Sequence, residues 1–215
     1  MHPPLIIIGA YGSGKTECAL ALAAQWTAAG EVVTLVDLDF VNPYFRVQDH
    51  QMEFAALGVE ILAPEARVAQ IDAPSIPAGT RDALAHPRGR TIVDLGGDPA
   101  GAVVIAQFAA QLTSCTLWAV HNCFRPMTEE RDTSVALLRE IVHATGLRLS
   151  GLVAASHLGQ FTQAEDILYG LAQTRAVADG FAVPVVLLCA PAWVALPPVE
   201  VPVLPITPRL LRPWE

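Results

Sequence analysis

Near the amino terminus the run Gly9-Ala10-Tyr11-Gly12-Ser13-Gly14-Lys15-Thr16 satisfies G-x-x-x-x-G-K-[ST] in full. That pattern suits a bound phosphate. Glycines let the backbone wrap closely around it, and successive N–H groups with the helix N-terminus supply a positive field. The ammonium of Lys15 reaches the β- and γ-phosphates, and the Thr16 hydroxyl ligates Mg²⁺. A mere tight turn has no use for the lysine, and Lys15 is the only lysine in the chain; all the other basic residues are arginines. Gly9, Gly12, Ser13, Gly14, Lys15, Thr16 and Glu17 are therefore the expected nucleotide-binding residues, with Lys15 also catalytic.

Two acidic pairs accompany the loop. Asp37 and Asp39 follow the run Val32–Val36, and Asp94 and Asp98 follow Thr91-Ile92-Val93. Ligands of open α/β sheets bind beyond the carboxyl ends of the strands, where these carboxylates fall. A short apolar run ending in Asp94 has the look of a Walker B acid, which holds Mg²⁺. Asp94-Leu95-Gly96-Gly97 also spells D-x-x-G, a loop whose glycine N–H can sense a γ-phosphate and move when it leaves. For Asp37 and Asp39 two readings stay open. One is capping of a turn at the strand end; in the other, one acid orients the attacking water and its neighbour supports the metal shell.

The elements that must position these residues alternate short β-branched runs with helical stretches, which predicts an α/β fold with a mostly parallel, helix-flanked central sheet. Strands are expected at Leu5–Ile8, Val32–Asp37, Val59–Leu62, Thr91–Asp94, Thr116–Val120, Leu149–Ala154 and Val183–Leu188, several of them continuously apolar, as strands buried on both faces should be. Helices are expected at Lys15–Ala28, Val47–Leu57, Ala100–Leu112, Glu129–Ala144 and Gln163–Ala178. All but the third are closed by a glycine, at Gly30, Gly58, Gly146 and Gly180. Pro64–Arg90 reads as a long excursion with one short helix, Thr80–Ala85. With no internal repeat or linker, the chain reads as one nucleotide-binding domain over 1–190 and a proline-rich tail, 191–215, packed on the same domain with an edge strand around Val203.

Composition limits the classes of function. The 215 residues are 53% hydrophobic and 16% charged, which excludes disorder as the main state. A formal net charge of −8 with no basic run argues against general nucleic-acid binding, which depends on clustered cations. The apolar stretch Phe181–Val199 is broken by four prolines and reads as a buried strand with an extended tail rather than a membrane span. The start of the chain lacks the pattern of a signal peptide. Cys18, Cys115, Cys123 and Cys189 show no C-x-x-C spacing and read as small core residues. A soluble cytoplasmic protein is the expectation.

Together Gly9–Thr16, Leu35-Val36-Asp37-Leu38-Asp39 with Asn42-Pro43 after it, and Ile92–Gly97 resemble the MinD/ParA/CobQ class of P-loop nucleotide-binding proteins, within the SIMIBI group that includes nitrogenase iron protein and the nickel-insertion GTPases. Val120-His121-Asn122 is similar to the strand-end asparagine segment of MinD-like proteins. The resemblance implies a Mg-ATPase switch. It makes Asp39 the water-activating residue, Asp37 its metal-side neighbour, and Thr16, Asp94 and Asp39 the metal-side set. Gly97 and Asn122 join the nucleotide-binding residues, and Asp37–Gln48 and Asp94–Gly101 become the two switches. The chain departs from the pattern in three places. Ala10 stands where MinD and ParA carry a second lysine that reaches across a dimer. The G-S-G-K-T spelling is similar to the hydrogenase and urease maturation GTPases, yet their N-K-x-D is absent. Ala155-Ser156-His157 replaces the asparagine that often reads adenine. The base preference leans to ATP.

The leading expectation is thus Mg-dependent binding and hydrolysis of ATP as a conformational switch acting through a homodimer or a client protein. Arg46 and Arg125, on loops after strands, are candidates for a cationic finger or for ordinary ion pairs. His121 and His157 stand at strand ends, and Tyr44, Phe45 and Phe124 form either a partner surface or buried packing. Two rivals remain: a phosphotransferase or ligase on a small molecule, with Arg81, Arg88 and Arg90 for an anionic substrate, and a non-catalytic nucleotide sensor.

Overall fold

The computed structural model describes residues 2–39, 51–64 and 76–208. Its strands are β1 (Leu5–Gly9), β2 (Val33–Leu38), β3 (Val59–Leu62), β4 (Arg90–Leu95), β5 (Thr116–His121), β6 (Leu149–Ala154), β7 (Val185–Pro191) and β8 (Val203–Ile206). They form one sheet in the order β3-β2-β4-β1-β5-β6-β7-β8. Every neighbouring pair is parallel. The strand expected around Val203 is the edge strand β8, paired with β7 through Leu188↔Val203 to Pro191↔Ile206.

The helices are α1 (Lys15–Ala28), α2 (Gln51–Ala56), α3 (Thr80–Ala85), α4 (Pro99–Ala102), α5 (Arg131–Thr145) and α6 (Ala164–Asp179). Period-two alternation along the strands assigns each side chain to one of two cores. Leu5 and Ile7, Val33 and Leu35, and Ile92 pack with Cys18–Ala23 of α1 and Phe54 of α2. Ile6 and Ile8, Val36 and Leu38, and Val93 and Leu95 pack on the other face with Leu84, Ile105, Phe108, Leu138, Ile141 and Val177. Ile167 and Leu171 of α6 extend that helix layer over Leu188, Ala190 and Val201.

One expectation needs correction. The single helix expected over Ala100–Leu112 is a four-residue α4 followed by a 3₁₀ segment, Val103–Phe108. Consecutive β-branched residues Val103, Val104 and Ile105 crowd the α-helical turn, and Gly101 before them is held against Gly96, where a Cβ would lie 2.9 Å from the opposing Cα. Gly180 closes α6 as expected, with a φ of −64. Its reason is space, since a Cβ there would stand 2.9 Å from Val135 Cγ2 on α5. The expected helix Val47–Leu57 is described over Gln51–Ala56. Asn42, Pro43, Tyr44, Phe45, Arg46 and most of the first expected switch lie outside the described residues, as do 65–75 of the excursion and 209–215 of the tail. Among the described residues no helix is long and apolar enough to cross a membrane.

Candidate functional site

The strand order reverses at β1. Its successors β2 and β3 lie to one side beyond β4, and β5 to β8 lie to the other. A crevice at the carboxyl end of the central strand is the topological switch point where open α/β sheets take ligands. The G-x-x-x-x-G-K-T run fills that position, linking the end of β1 to the start of α1. Gly9 must be glycine, because a Cβ would lie 2.3 Å from Val120 O on β5 and 2.8 Å from Ser13 Oγ. Gly14 precedes α1 at φ 93, in the left-handed region, and turns the chain into the helix. Ser13 is buried, and Glu17 lies half-buried in the first turn of α1.

Strand register brings the acids to this loop. Asp37 and Asp94 are direct partners across β2 and β4. Both share the parity of Leu35 and Ile92, and so belong to the sheet face that α1 covers. Thr16, at the start of α1, donates from Oγ1 to Asp94 Oδ2 at 2.6 Å. Burial pushes the Asp94 carboxyl up to about 7; the Lys15 ammonium pulls it down, the Asp39 carboxylate pushes it up, and the Thr16 hydroxyl pulls it down. Asp37 Oδ1 accepts the N–H of Asp39 at 3.1 Å, the turn-capping geometry foreseen for a strand-end Asp. Asp39 Oδ1 lies 3.6 Å from the place a Cβ of Gly96 would take. Asp98 is the N-cap of α4, accepting from Gly101 N at 2.6 Å.

Gly97 closes the site from the β4 side. A Cβ there would meet Lys15 Nζ at 2.9 Å, Tyr11 N at 3.0 Å and Ala10 C at 3.2 Å. Lys15 itself is buried, with Nζ 3.5 Å from Ala10 O. On the β5 side Asn122 is fully buried, and its Oδ1 accepts Phe124 N at 3.0 Å. Thr128 Oγ1 is within bonding distance of Asn122 O at 2.6 Å and Arg125 O at 2.9 Å. Arg125 then extends over the phosphate loop, with Nε donating to Gly12 O at 3.0 Å. Spacing alone left Arg125 open. The contact spans 113 positions of sequence and has no local signal.

The residue types fit a phosphate and a divalent cation. Ser13 Oγ, Asp94 Oδ1 and Asn122 Nδ2 are buried polar atoms without a hydrogen-bond partner. Each such atom costs about 1–3 kcal/mol until something satisfies it. Among the described residues no group of three or more His, Cys, Asp or Glu could hold a metal ion. Mg²⁺ does not require one, since it is commonly held by one or two carboxylates together with phosphate oxygens and water.

The other candidates do structural work. His121 is buried on the opposite face, Nδ1 2.9 Å from Thr174 Oγ1 of α6 and Nε2 3.3 Å from Ser134 Oγ of α5. Burial holds its pKa down at about 4. His157 Nδ1 accepts Gly159 N at 3.2 Å. Phe124 stacks on Tyr169, with ring centroids 6.0 Å apart. Arg90 starts β4 at the far end of the sheet, bonded to Glu31 at 2.6 Å and lying over Trp26, and Arg81 bonds Gln111 and lies over Phe108. Sequence reasoning missed Ser156, whose Oγ accepts Cys123 N at 3.0 Å and anchors the β5 loop to the end of β6. Nothing in its local pattern marks that role. The four cysteines are free thiols.

No family model matches the chain, and no curated protein matches it. Solved structures do. The signal recognition particle receptor FtsY of Elizabethkingia anophelis aligns with a TM-score of 0.52 at 18% identity, covering 85% of this chain and 57% of that one. The signal recognition particle 54 kDa protein of Aeropyrum pernix, in complex with GDP, gives 0.56 at 17% identity over 85% and 40%. FtsY of Mycoplasma mycoides gives 0.57 at 12% identity over 85% and 58%. This chain thus spans 40–58% of the length of these structures. At such identities the likeness is one of fold: the chain is a single α/β domain with an all-parallel, helix-flanked sheet like that of these structures.

Proposed function

We propose that this protein binds a Mg-nucleoside triphosphate at Gly9–Thr16, hydrolyses it slowly, and uses the β4–α4 loop as a switch read by a homodimer or a client protein. The observation that carries this reading is Gly97 seated on Lys15, beside the Thr16–Asp94 hydrogen bond. A γ-phosphate drawn to Lys15 would enter where Gly97 now packs, so occupancy and loop position are coupled. Gly9, Gly12, Ser13, Gly14 and Glu17, with Gly97 and Asn122, surround the phosphates. Thr16, Asp94 and Asp39 would hold the Mg²⁺, whose charge neutralises the β- and γ-oxygens. Asp39 is assigned to orient the attacking water, with Asp37 bracing its backbone N–H.

ATP is the proposed nucleotide, because the chain carries no N-K-x-D to read guanine. The GDP bound to the Aeropyrum pernix neighbour favours a second reading in which GTP is used. The rival of a small-molecule phosphotransferase loses support from its arginines, since Arg90 is paired with Glu31 at the sheet's far end. Binding and phosphate release with ATP, GTP and CTP, against Lys15→Ala and Asp39→Ala, test the proposal. Loss of binding in the first variant and of turnover in the second is expected. Untouched binding and turnover in both would sink it, and tight binding without phosphate release by the wild type would leave a sensor rather than a hydrolase.

A further inference from the structure

The loops that follow β5 and β6 carry an apolar surface for which nucleotide hydrolysis has no use. Phe124 stacks on Tyr169, which joins the β5 loop to α6. Ser156 Oγ accepts Cys123 N at 3.0 Å, and a Cβ on Gly170 would lie 2.2 Å from Ser156 Cβ, so both loops and α6 meet at one place. Around that junction Met127, Leu158, Phe161 and Tyr169 are exposed, Phe161 at 73% and Met127 at 64%. A single exposed apolar residue is ordinary, whereas several around one junction mark an interaction surface.

Met127 supplies a second observation. Its φ is 70, in the left-handed region, which costs free energy for a residue with a side chain. Thr128 fixes that turn: its N and Oγ1 donate to Arg125 O at 3.0 and 2.9 Å, and Oγ1 lies 2.6 Å from Asn122 O. Neither the strain nor the water-facing side chain stabilises the free protein. Strain of this kind collects where a ligand or partner is clamped.

The border of the surface is acidic. Glu129 and Glu130 closely follow Met127, and Glu165 shares a helix face with Tyr169, four positions on in α6. Among the described residues these three glutamates have no ion pair. The neighbouring arginines are engaged elsewhere, Arg131 with Asp132 and Ala176 O, and Arg125 with Gly12 O. A second copy meeting this face through a two-fold axis would set glutamates near glutamates, and two chains of net charge −8 repel further.

We propose that this face docks a basic segment of a client protein, its large apolar side chains seated on Phe161 and Met127 and its lysines or arginines meeting Glu129, Glu130 and Glu165. As a client site it rests on the switch reading above. The docking itself is measured on the nucleotide-free protein, so the two fail separately.

The probe is a fluorescently labelled amphipathic peptide of leucine and lysine, with a leucine–glutamate peptide as control, titrated with the full chain and followed by anisotropy. Wild type should bind the lysine peptide and not the glutamate peptide, with an affinity that falls as salt rises. Phe161→Ser, and Glu129→Lys combined with Glu165→Lys, should each weaken binding roughly tenfold. Met52 is exposed on α2, by the opposite edge of the sheet, and Met52→Ser should change binding less than about twofold. Thermal melts check that each variant is folded. The inference is overturned if wild type does not bind the lysine peptide, or if every variant binds it as wild type does. It is also overturned if wild type self-associates and Phe161→Ser abolishes that, which makes a second copy the occupant. Phosphatidylglycerol vesicles that bind wild type but not Phe161→Ser would overturn it in favour of a membrane. Peptide binding as expected in a protein that binds no nucleotide would remove the switch reading and leave the docking site standing.

Discussion

Gly97→Ala tests the switch reading directly. Gly97 is not among the residues with positive φ, so its backbone accepts an L side chain and the cost of the substitution is space alone. The added methyl would stand 2.9 Å from Lys15 Nζ and 3.0 Å from Tyr11 N, where ordinary contact begins at 3.4 Å. About half an ångström must be found. Lys15 Nζ sits on a flexible stem, but the residue is only 6% exposed and has little room to retreat. Tyr11 N belongs to the backbone of the phosphate loop, so the β4–α4 loop is the part that gives way. Overpacking of this kind costs about 1–3 kcal/mol. In a chain of this size that is a fall in melting temperature of roughly 2–4 °C per kcal/mol for the empty protein. If the γ-phosphate is read through the N–H of Gly97, the same strain should fall on the triphosphate complex, lowering its affinity by roughly 5- to 150-fold while diphosphate binding changes much less. Calorimetric titration of both nucleotides, with thermal melts of the empty variant, measures the two effects. A variant that melts with wild type and binds both nucleotides unchanged would refute the close approach and the switch built on it.

Other perturbations have equally definite outcomes. Thr16→Val removes the hydroxyl bonded to Asp94 and should abolish the gain in nucleotide affinity that Mg²⁺ provides, leaving metal-free binding within a few-fold; an unchanged Mg²⁺ dependence would exclude Thr16 from the metal. His121 has a folded pKa of about 4 against an ordinary 6.5. Neutral His121 therefore stabilises the fold fully above about pH 6.5, and that contribution is lost as pH falls through about 4. That pKa difference is worth about 3 kcal/mol. Urea unfolding at pH 7 and pH 4 should show His121→Asn less acid-sensitive than wild type by that order, and equal sensitivity would contradict it. Gly170→Ala would place a methyl 2.2 Å from Ser156 Cβ. It should cost about 1–3 kcal/mol, and adding Ser156→Gly should return only part of that, because the hydroxyl that holds Cys123 N goes with the clash; strictly additive losses in the double variant would show that the clash lies elsewhere.

The acids and the phosphate loop were legible because local rules place them. Gly9–Thr16 is a contiguous pattern, and period two along Val33–Asp37 and Ile92–Asp94 already assigns Asp37 and Asp94 to one face. The short helix Thr80–Ala85 and the edge strand at Val203 followed from similarly local signals. The contacts that finish the site were not legible, because they join loops distant in sequence. Arg125 to Gly12, Cys123 to Ser156 and Gly97 to Lys15 depend on how neighbouring strands end, which no residue type announces. The helix expected from Ala100 failed for a related reason: its glycine answers to Gly96 across the loop rather than to its own helix.

That failure bears on mechanism. A regular helix of three turns beginning at Pro99 would resist any displacement of Gly97 imposed from the phosphate side. The segment instead starts with four α-helical residues capped by Asp98 and continues as 3₁₀ turns to Phe108. Such short pieces have little cooperativity of their own and hold their shape through packing. Gly96 touches Gly101, the Asp98 carboxylate holds Gly101 N, and Ile105 and Phe108 lie in the core shared with α5. Moving Gly97 away from Lys15 therefore disturbs the cap, then α4, then the surface around Val103, which is 54% exposed. On the proposed reading, a change at the terminal phosphate would in this way reach an exposed face through a helical segment too irregular to absorb it.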